Sequence, residues 1–147
     1  MSISHSPVPA SESVESKCSS GKAAESSAGS PLAAVEIVHL DRLPGIPCPC
    51  GTARRAFLDS TAVPFSLHLT HIESTSRAHY HRNLTETYFV LECEPGAYIE
   101  LNGERVPLEP NMAILIPPLT RHRAVGHVKV VIVAQPKFDP ADEWFDD

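Results

Sequence analysis

From Val35 onward the chain is a succession of short apolar runs separated by turn residues; the first 34 residues lack that pattern. The runs predict strands at Glu36–Leu40, Arg54–Leu58, Phe65–Ile72, Arg77–His81 and Glu86–Glu92. A second set follows at Ala97–Leu101, Glu104–Leu108, Met112–Ile116, His122–Val125 and Val128–Ala134. Asn102-Gly103 is a two-residue hairpin signal, because both residues tolerate the positive φ such a turn needs. Many short strands with almost no helical periodicity predict an all-β sandwich or barrel. The end departs from this. Asp139 as a cap and Pro140 at the first helical position predict a short terminal helical turn. Trp144 and Phe145 beyond it are expected to pack on the barrel's outside or on a neighbouring subunit, with a lid over the barrel mouth as the less favoured alternative.

Composition adds a boundary. Eleven of the first thirty residues are Ser, and no aromatic residue precedes Phe57. Such a segment buries too little apolar surface to offset its ordering entropy, so residues 1–34 are expected to form a disordered tail. Residues 35–147 then form one barrel domain with a short C-terminal extension. The net charge is −6, from 12 basic and 18 acidic residues, with no basic stripe, which argues against a nucleic-acid partner. No run approaches the ~20 apolar residues of a membrane span, and the start lacks the apolar core of a secretory signal. The expected location is cytoplasmic, with no membrane partner.

Without an export signal, Cys18, Cys48, Cys50 and Cys93 are expected to be reduced. Cys48 and Cys50 lie too close for an easy mutual disulfide on a regular strand. Cys48-Pro49-Cys50-Gly51 has the look of half a zinc knuckle, but no second pair closes it. Small, half-buried residues in a proline-rich turn are the simpler reading. Cys93 is expected to pack as a small hydrophobe. Asn83-Leu84-Thr85 fits the N-glycosylation pattern, and the missing export signal discounts it.

The candidate chemistry lies in His79, His81, Glu86 and His122. On a strand, His79 and His81 point the same way. Glu86 opens the next strand, and His122 follows Ile116-Pro117-Pro118-Leu119-Thr120-Arg121. Three imidazoles and a carboxylate suit one divalent transition metal (Fe, Mn, Ni or Zn) with open coordination positions. Arg77 shares parity with the histidines and is expected to point inward, where it could hold a carboxylate or form a rim salt bridge. Tyr88 shares parity with Glu86 and could act as a general acid or base, or simply pack. One of His68 and His71 should face inward. Arg121 and Arg123 should face solvent.

These spacings resemble the cupin superfamily, whose first motif reads His-x-His followed three or four residues later by Glu. Its second motif carries Pro-x-Gly-x-x-His. The resemblance covers residues 65–133 and matches all four ligand positions, but not the family's glycines. Glu73, Cys93, Asn111 and Leu119 stand where the family often has Gly, and Gly126 stands where it has Asn. The resemblance implies a small single-domain jelly-roll barrel (a double-stranded β-helix), a metal held by His79, His81, Glu86 and His122, and a homodimer. It implies an enzyme acting on a small polar or carboxylated metabolite, either a dioxygenase or a lyase or isomerase. Cupin lyases that cleave dimethylsulfoniopropionate look similar around Tyr88. A non-catalytic module that binds a sugar or small acid is the alternative.

Overall fold

The computed structural model describes residues 35–74 and 76–145. The expected tail, with His5 and Cys18, lies outside the described residues. Strands β1 (Ile46–Cys48), β2 (Gly51–Ala56), β3 (Ser66–Ile72), β9 (Val128–Gln135), β4 (Thr85–Cys93) and β7 (Ala113–Ile116) form a sheet in the order β1-β2-β3-β9-β4-β7. A smaller sheet runs β6 (Glu104–Pro107), β5 (Tyr98–Leu101), β8 (His122–Val125). Every pairing is antiparallel. The fold is therefore the two-sheet β-barrel that the pattern predicts.

Alternation places the core. On β4, Glu86, Tyr88 and Val90 are buried while Thr87 and Phe89 face outward. On β9, Val128, Val130, Ile132 and Ala134 are buried in the same way. Ile72, Tyr88, Val90, Val130 and Ile132 of the large sheet pack with Ile99 and Ala124 of the small one. Burying one full aliphatic side chain contributes about 1.5–3 kcal/mol.

Most expected strands stand within a few residues of their predicted bounds. The exceptions have local causes. Glu36–Leu40 is not a strand. Val35 and Ile37 are 86% and 91% exposed, and a single 3-10 turn, Leu40–Arg42, follows. A run of apolar residues gains strand structure only from a partner, and none lies beside it among the described residues. Strand β1 was not expected, because prolines 47 and 49 argue against a strand. It survives as an edge, where a missing N–H costs nothing. Strand β2 starts earlier than expected, at Gly51, and ends where Phe57 turns to φ 64.

The Arg77–His81 strand reduces to two isolated bridges, His79 with His122 and Tyr80 with Trp144. Upstream, the Ser76 hydroxyl accepts from Ala124 N–H at 2.9 Å and donates to its carbonyl at 2.8 Å. The Ser76 N–H also donates to that carbonyl at 3.1 Å, so the side chain replaces only half of the backbone rung. The predicted terminal turn is present: Pro140–Asp142 is a 3-10 turn, and the Asp139 carboxylate accepts from Ala141 N–H. No helix among the described residues is long and apolar enough to cross a membrane.

The departures from the family's glycines are carried by backbone strain. Asn102 and Gly103 form the expected hairpin with φ 50 and 89. Asn111 and Leu119, standing where the family has Gly, also take positive φ, at 72 and 66. Asn tolerates this region; Leu does not. The Leu119 N–H donates to the His81 carbonyl at 2.7 Å, so the strained turn tethers the second motif to the first. Because Leu119 is 66% exposed, little burial is lost on truncation. Leu119→Gly is expected to raise the unfolding free energy by about 1 kcal/mol in urea denaturation. A lower midpoint would show that the leucine side chain outweighs its backbone strain.

Candidate metal centre

His79, His81, Glu86 and His122 come together. One ligand atom from each lies within 4.8 Å of all the others, and all four residues are buried. His79 and His122 meet as cross-strand neighbours. They exchange both backbone hydrogen bonds, at 3.1 and 2.8 Å, and their rings stand 4.4 Å apart. Glu86 faces them from β4, flanked by Ala134 of β9 and Ile116 of β7. It is a charged residue on the core face of a strand.

The imidazoles are oriented by backbone carbonyls. The Nδ1–H groups of His79, His81 and His122 donate to Arg77 O (3.1 Å), Asp142 O (2.8 Å) and Thr120 O (3.0 Å). A carbonyl only accepts, so each Nδ1 carries the proton and each Nε2 is left to face the centre. His122 Nε2 lies 2.9 Å and His81 Nε2 3.7 Å from Glu86 Oε2. His81 Nε2 is buried without a hydrogen-bond partner. Burying such an atom costs about 1–3 kcal/mol. Carbonyl-oriented imidazoles, an unpartnered buried nitrogen and a converging carboxylate are the donor set a divalent transition ion takes. The residues fit a metal.

Electrostatics agree. Burial disfavours the charged form of His122, yet the Glu86 carboxylate outweighs it and raises the imidazole's pKa. Burial likewise pushes Glu86 up, but its bond from His122, with the His122 and His81 fields, holds it below the usual carboxylate range. His79 falls to about 4 through burial and repulsion from His122. The cluster thus draws positive charge toward Glu86.

The two expected catalytic residues stand differently. Tyr88 is buried, with its ring 6.1 Å from that of His122, and is part of the hydrophobic core. Burial, with the field of Glu86, raises its pKa well above the ordinary value, so the phenol stays protonated. Arg77 does not point inward as parity predicted. It is exposed, with its guanidinium 4.3 Å above the Phe145 ring. Parity fails here because residues 76–81 are not a regular strand. Arg123 pairs with Glu100 at 3.0 Å rather than standing alone in solvent.

Other groups join the site, some of them, such as Arg55 and Glu143, not singled out in the sequence. Of the two strand-β3 histidines, His68 is the inward one. It shares a 2.9 Å hydrogen bond with Ser66 and lies edge-on to Phe138 at 5.4 Å. Arg55 pairs with it across β2 and β3, and its guanidinium lies 4.2 Å above Phe138. Arg55 Nε is buried without a partner. Glu143 Oε1 lies 3.8 Å from His79 Nε2.

The C-terminal segment explains Glu143, and it takes up the less favoured of the expected positions, beside the cluster. Trp144 exchanges backbone hydrogen bonds with Tyr80, both at 2.9 Å. The Asp142 carboxylate accepts from the N–H groups of Arg82, Asn83 and Leu84. Phe145 then lies 5.9 Å from His79, and Phe138 6.5 Å from His81. The segment therefore covers the cluster as well as packing outside, where Arg82 stacks 3.5 Å over Trp144. Nothing in its spacing to the motifs announced this.

A cupin-domain family model matches residues 68–133. A crystal structure of a protein from Planctomyces limnophilus is 45% identical, with a TM-score of 0.75, covering 77% of this chain and 98% of that one. The chain belongs to the cupin family. Its fold is also that of Streptomyces Pac13, described as a nucleoside dehydratase, at 18% identity, 77% and 95% coverage and a TM-score of 0.64. Ectoine synthase from P. lautus shares it at 24% identity, 73% and 82% coverage and a TM-score of 0.62. No curated protein matches the chain in sequence.

His68 offers a test of burial. Desolvation, with the Arg55 charge, lowers its pKa from 6.5 to about 4, so it is neutral in the fold. Between those values the unfolded chain binds a proton that the folded chain does not. Stability contributed by neutral His68 is therefore complete above about pH 6.5 and is lost as pH falls toward 4. The wild-type chain should lose about 3 kcal/mol more than His68→Gln across that window, read by urea unfolding at stepped pH. Parallel pH profiles would show that the imidazole protonates freely in the fold.

Proposed function

We propose that this cupin is a metal-dependent enzyme in which His79, His81 and His122, through Nε2, and Glu86 hold one divalent transition ion. The observation that carries the reading is the convergence of three carbonyl-oriented imidazoles and Glu86, with His81 Nε2 buried and unpartnered. When bound, the ion supplies Lewis acidity toward a carbonyl, hydroxyl or carboxylate oxygen. The other groups act on the substrate. Arg55 presents a guanidinium for an anionic group. Glu143 and Tyr88 place a carboxyl and a phenol beside the cluster, which suits proton transfer in a lyase or isomerase. Phe138 and Phe145 exclude water, and the segment from Phe138 to Phe145 must shift for substrate to enter. Arg77 holds Phe145 at the rim rather than binding substrate. The substrate class is a small polar or carboxylated metabolite.

Elemental analysis of protein purified without chelator tests this. About one Mn, Ni, Zn or Fe per chain is expected, and it should be lost in His122→Ala. Arg55→Ala should weaken turnover of an acid substrate about 100-fold while leaving the metal in place. Oxygen consumption during turnover would instead indicate dioxygenase chemistry on the same ligands. Saturable ligand binding with no product would make the protein a binding module. Absence of metal after anaerobic reconstitution would sink the proposal.

We further infer a homodimer through the outer face of the large sheet. There Phe89 and the edge-strand Leu115 are 40% and 68% exposed. Light scattering should show Leu115→Glu as a monomer and the wild-type chain as a dimer; an unchanged mass would place the interface elsewhere.

A further inference from the structure

Away from the metal cluster, one pair of nucleophilic side chains is brought together by the fold. Strands β1 and β2 are joined by a hairpin in which Cys48 pairs with Gly51, leaving Pro49 and Cys50 as the connecting residues. Pro49 fixes its own φ. Gly51 sits at φ 139, and a Cβ there would lie 2.1 Å from the His71 carbonyl oxygen, so only Gly fits. The turn is thus locked from both sides. On a regular strand, residues two apart keep their side chains a full repeat apart. In this turn the Cys48 and Cys50 sulfurs lie 2.6 Å apart. Both are free thiols and both are partly exposed.

We propose that Cys48 and Cys50 form a second reactive site, a dithiol that exchanges with low-molecular-weight disulfides and closes to an intramolecular disulfide. The two sulfurs have different surroundings. The two thiols share one hydrogen bond in which either sulfur can donate; that contact, with backbone N–H groups and Arg55, lowers the Cys48 pKa to about 7 against the effect of burial. Cys50 is the deeper residue, packed against the core. Its bond to Cys48, burial and the Glu86 and Glu143 carboxylates raise its pKa. That asymmetry assigns attack to Cys48 and resolution to Cys50.

The exchange balances as follows. The Cys48 thiolate attacks one sulfur of a disulfide RSSR, forming a Cys48–SR mixed disulfide and expelling RS⁻. Cys50 then releases its proton and attacks Cys48 Sγ, expelling the second RS⁻. Two protein thiols become one disulfide, and RSSR takes up the two electrons and two protons as two RSH. The sulfurs' separation disfavours the main competitor, a soft metal bridged between two thiolates. Such an ion would hold the sulfurs apart, whereas disulfide sulfurs sit about 2 Å from each other. Because the Pro49 carbonyl accepts the Arg77 N–H at 3.2 Å, the dithiol turn is anchored two residues before His79.

The test uses the reduced full chain in a graded series of glutathione and glutathione disulfide. Samples are acid-quenched, alkylated and mapped by mass spectrometry. The tryptic peptide of residues 43–54 contains no other cysteine. It is expected to lose two hydrogens and become resistant to alkylation through the series, while Cys93 still alkylates. In Cys50→Ser, glutathione should accumulate on Cys48. In Cys48→Ser, capture on Cys50 should be slower than capture on Cys48 in Cys50→Ser, because Cys50 packs against the core. Two separately glutathionylated cysteines, or two that alkylate at every ratio, would overturn the proposal. So would protection that vanishes on adding a chelator, which would mark a soft-metal site. The wild-type measurement decides the matter even if either variant fails to fold.

Discussion

Three imidazole lone pairs and one carboxylate aimed at a single buried point are tolerable only around positive charge. That requirement organises this protein. Between His122 and Glu86, at 2.9 Å, the charge takes the form of a raised imidazole pKa beside a lowered carboxyl pKa. His81 Nε2 has no hydrogen-bond partner at all. A buried carboxylate left unpaired costs several kcal/mol. The centre is therefore one that a cation would stabilise. Its rigidity comes from the backbone, since each imidazole is turned by a carbonyl that belongs to an adjacent strand, turn or terminal segment.

Two of these carbonyls lie two residues before their own histidines, and the third, of Asp142, ties a distant part of the chain to the cluster. Thr120 belongs to the strained turn whose Leu119 N–H reaches back to His81. Asp142 uses its carboxylate on the Arg82–Leu84 loop and its carbonyl on His81. Bonds to the carboxylate outweigh burial and hold its pKa below the ordinary value. One residue in a 3-10 turn thus fixes both the loop between two ligands and the orientation of one of them. Losing the terminal segment would loosen His81 and uncover His79 together.

The parts of this arrangement that periodicity governs were legible in the sequence. Alternation on β4 put Glu86 with Tyr88 and Val90 on the core face, and the His79–His81 spacing put both imidazoles on one side. Asn102-Gly103 declared its turn. What periodicity does not govern was missed. Arg77 was placed inward by a parity that holds only on a regular strand, and beside it the Ser76 hydroxyl takes over half of the rung to Ala124. Strand β1 was hidden by its prolines, because edge and interior are tertiary facts. Glu36–Leu40 looked like a strand and lacks a partner. Asn111 and Leu119 looked like lost turns, yet the backbone keeps positive φ without glycine and accepts the strain.

Reactivity depends on the site rather than on the barrel, because a nucleoside dehydratase and an ectoine synthase share this fold. Here the surroundings come from two places. Strands β2 and β3 contribute Arg55 and His68, paired across the sheet, and the terminal segment contributes Phe138, Glu143 and Phe145. A guanidinium over the Phe138 ring and a carboxyl beside His79 set polar groups at fixed points. In the proposed enzyme, selectivity would then reside in the C-terminal residues more than in the motif. Two chains with identical ligands and different terminal segments would act on different substrates.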